Sequence, residues 1–128
     1  MAPEAGSPAA WLRHARSDLA VARAASGPDV LRETRCFHAQ QAAEKSLKAV
    51  LVRHGIAVPR THNLKILLER LPAEVVVTDV VAAAAGLTDY AVMARYPGDY
   101  EEVTEEELQA ALALGDAVVQ WAGAQLGE

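Results

Sequence analysis

Gln40, Gln41, Glu44, Lys45 and Lys48 are the densest run of chemistry-bearing side chains in this 128-residue chain. Spacings of three and four put Gln41, Glu44, Lys45 and Lys48 on one side of a helix, where they could meet a partner or ligand together. Lys45 and Lys48 suit phosphate, although Glu44 is an obvious ion-pair partner and such sets commonly form a solvated face. Gln40, Gln41 and Glu44 border an apolar line and are candidates for a symmetric helix interface. A second, scattered set consists of His62, Arg95 and Tyr100. His62 follows Thr61 at a helix start, Arg95 ends a helix where a cation opposes the dipole, and Tyr100 follows Pro97-Gly98 in a loop. His14, His38 and His54 have no metal-ligand spacing with Cys36 or with carboxylates, so no metal site is expected. No Gly-rich phosphate loop or Gly-x-Ser-x-Gly elbow occurs, and no cofactor is implied.

Those residues must be held by helices. Ser7-Pro8 signals a helix start, and Trp11, Ala15, Leu19 and Ala22 recur along one face. A longer helix is expected from Asp29 or Val30 to His54-Gly55, with Cys36, Ala39, Ala43, Leu47, Val50 and Leu51 as its apolar line. Thr61 is expected to cap a short helix carrying Leu64, Leu67, Leu68 and Leu71, stopped by Pro72. Glu74 to Val77 has β-branched residues but no pairing partner, and reads as a buried connector. Thr78 or Asp79 opens a helix running to about Ala94. Arg95 to Tyr100 breaks the pattern. Thr104 and Glu107 form a capping box that opens a last helix through Leu126. The expected fold is all-α: an up-and-down antiparallel bundle of four main helices plus one short one. Residues 8–126 make a single domain and residues 1–7 a flexible tail.

Composition narrows the class. Twelve Lys plus Arg against seventeen Asp plus Glu give a net charge of −5, and 52% of residues are hydrophobic. This is globular rather than disordered, and too short for a second core of ordinary size. An acidic chain is a poor general sink for nucleic acid, though a local basic pocket remains compatible with it. The lone Cys36 allows no internal disulfide, and the first residues resemble no signal peptide. No apolar run approaches the roughly 20 residues of a membrane span. A cytoplasmic location is expected.

Phe37-His38-Ala39-Gln40-Gln41-Ala42-Ala43-Glu44-Lys45-Ser46-Leu47-Lys48-Ala49, then Thr61-His62-Asn63-Leu64, then Ala94-Arg95-Tyr96-Pro97 resembles the HEPN domain family in order and spacing. The Gln-Gln-Ala-Ala-Glu-Lys-x-Leu-Lys segment is the specific part. The likeness spans Trp11 to Trp121. It implies a helical bundle that dimerises and is commonly paired with a minimal nucleotidyltransferase, often as a toxin–antitoxin system. Many family members are metal-independent ribonucleases, and others bind nucleotides or are non-catalytic.

The choice between those activities rests on residues. Metal-free RNA cleavage needs a group that moves protons near neutrality, which His supplies, and a cation at the phosphate, which Arg supplies. The nuclease branch carries Arg-x(4–6)-His. Here Arg95 stands where that Arg belongs, but position five beyond it is Tyr100, and no His follows. A phenol of ordinary pKa about 10 is a poor base at neutral pH. Glu101 and Glu102 add negative charge where phosphate would lie. The expectation is a binding module: a homodimer partnered with a minimal nucleotidyltransferase, with a nucleotide pocket near Lys45, Lys48, His62 and Arg95. The alternative is a metal-independent endoribonuclease toxin with a degenerate motif, served by Arg95 with His62 or Tyr100.

Overall fold

Ser7 and Pro8 start the first helix as their types require, with Ser7 Oγ accepting from the Ala10 amide at 3.1 Å. The computed structural model describes residues 2–24, 27–93 and 101–128. Within them lie α1 (Pro8–Ala24), α2 (Arg32–Arg53), α3 (Leu64–Glu69), α4 (Asp79–Ala83), a 3-10 segment (Ala84–Thr88), α5 (Asp89–Met93) and α6 (Glu105–Gln125). There is no strand among the described residues. The all-α bundle expected from the sequence is the fold observed.

Polar contacts at the helix ends give the topology. Arg35, near the start of α2, donates from Nε to the Ala22 carbonyl at 2.8 Å, covering the last turn of an antiparallel α1. Arg32 at the start of α2 meets Glu105 at the start of α6 at 3.2 Å, so those two helices run the same way. Arg32 also donates to the Val103 carbonyl, while the buried Glu33 carboxylate accepts from the Val103 amide. Both backbone groups of the residue that leads into α6 are thus held by the first turn of α2. At the far end, the Trp121 indole donates to the Val76 carbonyl at 2.9 Å, seating the α3–α4 connector on α6.

α2 packs against α1, α3, the 3-10 segment, α5 and α6, while α4 rests on α6 and the 3-10 segment. Cys36, Ala39, Ala43, Leu47, Val50 and Leu51 are all fully buried, as the apolar periodicity predicts. Gly115 permits the close approach of α6: a Cβ there would sit 3.2 Å from the Ala39 carbonyl oxygen. Gly55, at φ +71°, ends α2 with its amide on the Val52 carbonyl and the Ile56 amide on Leu51.

Four local expectations change. The buried line of α1 is Leu12, Ala15, Leu19 and Ala22, with Trp11 only half-buried beside it. α2 begins at Arg32 rather than near Asp29, because Gly27 (φ +112°) and Val30 close a turn first. Asn63, not Thr61, caps α3: its side chain accepts from the Lys65 amide, while Thr61 Oγ1 accepts from the Asn63 amide. The helix expected from residue 79 to 94 begins on the Thr78 cap, but tightens into the 3-10 segment at Ala84 before resuming as α5. Gly86 weakens it there, and Thr88 Oγ1 is engaged by the Leu64 amide across the gap.

Candidate functional site

The polar side of α2 is drawn inward around Glu44. Its position one turn from both Gln40 and Lys48 lets all three side chains converge, because residues four apart lie above one another on a helix. Glu44 Oε2 accepts from Lys48 Nζ at 2.9 Å, and Oε1 accepts from Gln40 Nε2 at 3.2 Å. The third partner comes from the α2–α3 connection: His62 Nδ1 lies 2.8 Å from Glu44 Oε1. Gln40 is fully buried, Glu44 is 3% exposed and Lys48 is also buried.

Burial by itself would raise the Glu44 pKa, but the hydrogen bonds from Lys48 and His62 and the Lys48 charge outweigh it. Its carboxyl is therefore held below the ordinary carboxylate range. An ionised Glu44 accepts, so the His62 nitrogen facing it is the donor Nδ1–H. Gln40 Nε2 adds a bond to the His62 carbonyl at 3.1 Å, which fixes the backbone as well as the ring. The His62 side chain is still 51% exposed. The arrangement therefore anchors one ring nitrogen on a buried anion and leaves Nε2 for an outside molecule.

A second anion stands on α1. Asp18 accepts from Lys45 Nζ at 2.6 Å and lies 3.0 Å from His38 Nδ1. Trp11 joins the two clusters. Lys48 Nζ sits 5.5 Å from the Trp11 ring centroid, and a groove of about 310 Å³ opens beside Trp11, His14, Lys45 and the tail residues Ala5 and Gly6. Groove, indole, Lys48, Glu44 and His62 are thus linked in series. Among the described residues, no group of three or more His, Cys, Asp or Glu could hold a metal ion.

The structure brings Lys48, His62, Gln40 and Glu44 together, and places Lys45 next to them on Asp18. Arg95, Tyr96, Pro97 and Tyr100 lie outside the described residues. Gln40 and Glu44 spend their side chains within the chain, so of the interface candidates Gln41 is the one left half-buried at the surface, donating to Gln40 Oε1 at 2.7 Å. Sequence reasoning missed Asp18 and the Trp11–Lys48 contact. An acid next to Leu19, on the edge of the apolar face of α1, was the available signal for Asp18. For Trp11 the periodicity pointed to the core line instead, and no signal within the helix tied it to Lys48.

A parallel-antiparallel helical bundle with a charged cluster sunk into its central helix defines the class. The HEPN domain model matches residues 9–125, and the chain belongs to that family. Two solved structures share the fold. TT1696 from Thermus thermophilus is 30% identical, with a TM-score of 0.82 over 94% of this chain and 98% of its own. ST0689, an archaeal HEPN homologue, is 26% identical, with a TM-score of 0.72 over 94% of this chain and 98% of its own. No curated protein matches. No helix among the described residues is long and apolar enough to cross a membrane.

Proposed function

We propose that this HEPN protein acts by association: as a homodimer, it partners a minimal nucleotidyltransferase in a toxin–antitoxin-like pair and binds a nucleotide beside α2. The observation that carries the nucleotide reading is the Gln40–Glu44–Lys48–His62 cluster. Burying charge costs several kcal/mol per ion, and an apolar set would stabilise the bundle at least as well. A cluster kept at that cost, with an oriented imidazole at its rim, is what a ligand site needs. The groove beside Trp11 supports the reading by offering an aromatic wall for a base, with Lys45 near enough for phosphate.

Calorimetry with ATP tests it. Binding is expected in the micromolar range, weakened at least tenfold by Lys45→Ala or His62→Gln, two changes that leave Lys48 paired with Glu44. Absence of heat at millimolar ATP removes the site. Co-expression with the product of the adjacent reading frame tests the partner, with co-purification expected. Sedimentation at micromolar concentration tests the dimer, and a sharp 13.6 kDa species would exclude it.

A second reading, a metal-independent endoribonuclease, is favoured by one feature. The Glu44–His62 pair is a carboxylate-oriented imidazole of the kind that moves protons. RNA cleavage by purified protein, abolished by His62→Ala with the fold intact, would establish it over the binding reading.

A further inference from the structure

The charge balance around the groove beside Trp11 limits what it can hold. Among the described residues it is lined by Ala5, Gly6, Ala10, Trp11, His14 and Lys45, and of these Lys45 alone carries a permanent charge. That charge is already engaged. Lys45 Nζ lies 2.6 Å from Asp18 Oδ2, and the Asp18 side chain is only 14% exposed, so the pair is weakly screened. Lys48, over the Trp11 ring, is matched in the same way by the buried Glu44 at 2.9 Å. Each carboxylate also faces an imidazole Nδ1, Asp18 that of His38 at 3.0 Å and Glu44 that of His62 at 2.8 Å. With the histidines counted as neutral, two lysines and two carboxylates leave this set with no surplus positive charge.

The groove is also small. Its volume of about 310 Å³ stands at the lower end of the range for ligand pockets, about 300–1,000 Å³. One wall is a turn that residues 4–7 of the expected tail form. The Ser7 amide donates to the Glu4 carbonyl at 3.1 Å, and Gly6 has φ +75°, the value Gly supplies at that place in a type II turn. Glu4, next to the wall residue Ala5, is a further acid in that turn.

We infer that the groove selects a nucleoside monophosphate over the di- and triphosphates, with the base on the Trp11 indole and the single phosphate on Lys45. The inference rests on the nucleotide reading above and narrows it to one class of ligand. A base adds no charge and suits the apolar walls. A phosphomonoester brings a charge of about −1.5 to −2. The Lys45 ammonium has three donors, of which one is spent on Asp18, so it can still meet one phosphate. Each further phosphate adds negative charge beside Asp18, while Lys48 is held by Glu44, and like charges set side by side repel.

Calorimetry of the full chain with adenosine, AMP, ADP and ATP in metal-free buffer tests it. AMP is expected to bind most tightly of the four, and ATP about fivefold more weakly or worse. Asp18→Asn keeps the shape and removes the opposing charge, so it should narrow the gap between AMP and ATP about threefold or more, with circular dichroism unchanged. Glu128→Gln, whose carboxylate meets Arg16 and does not line the groove, should leave the gap as it is. ATP binding as tightly as AMP, or more so, overturns the inference and leaves the nucleotide reading in place, and so does adenosine binding more tightly than AMP. A gap unchanged in folded Asp18→Asn overturns it as well; should that variant fail to fold, the ligand series on the parent chain decides alone. Heat from none of the four ends both the inference and the reading beneath it.

Discussion

Glu44 decides more than any other side chain what the centre of this protein can do. With its pKa depressed, the linkage runs one way: the folded state holds the carboxylate more tightly charged than the unfolded chain does. Its contribution is present above the ordinary Glu value and is lost as pH falls through the lower folded value. Glu44→Gln should therefore flatten the acid limb of a stability-against-pH curve measured by urea unfolding. Glu44→Ala at neutral pH should cost about 3–5 kcal/mol, because it strands the buried Lys48 ammonium. Cys36 behaves in the opposite sense. Burial, reinforced by the Glu33 charge, pushes its thiol up to about 11, and Tyr90 beside it rises to about 12, mainly through burial. Cys36 should react with an aromatic disulfide reagent only on unfolding. Its share of stability is present below the unfolded value near 9 and is lost as pH rises toward about 11. A native thiol titrating at the free-cysteine rate would contradict this.

At the level of elements, α6 shows how local signals and packing divide the work. Thr104 and Glu107 close their capping box as their spacing predicts, and Thr104→Ala should cost about 1 kcal/mol in denaturant unfolding. Gly115 is different. Its pattern marks a helix interior, where Gly is unfavourable, yet the Ala39 carbonyl lies where a side chain would go. Gly115→Leu should destabilise by about 1–3 kcal/mol through overpacking against backbone that has no rotamer to yield. The helices themselves were legible because their apolar residues repeat at helical spacing, and so was the lack of a strand at Glu74–Val77, but that connector is not buried as expected: Val75 alone is buried, and Val76 is 73% exposed. Two boundaries were not. Thr61 and Asn63 are both competent caps, and only the path of the α2–α3 connection chooses Asn63. The 3-10 segment at Ala84–Thr88 depends on Thr88 meeting the Leu64 amide, a contact 24 residues away in sequence.

Across the whole molecule, α2 contacts α1, α3, the 3-10 segment, α5 and α6, and α4 joins them through α6, which ties the bundle into one cooperative unit. Leu47, fully buried at its middle, is the sharpest probe: Leu47→Ala should cost about 2–5 kcal/mol, with equilibrium unfolding still a single transition by fluorescence and circular dichroism. Charge is distributed as unevenly as packing. Acid is concentrated at the start of α6, in Glu105, Glu106 and Glu107, so the net charge of −5 is not spread evenly over the surface.

By itself the sequence determined the helices, the family resemblance and the residue types that gather on α2, since periodicity and capping act within a few residues. Only tertiary structure decided that Glu44 and Lys48 turn inward, that His62 returns from 18 residues away to hold its Nδ1 on that anion, and that Asp18 takes Lys45. The reason is physical: helical spacing says which side chains share a face, while burial and ion pairing depend on which other element comes to cover that face.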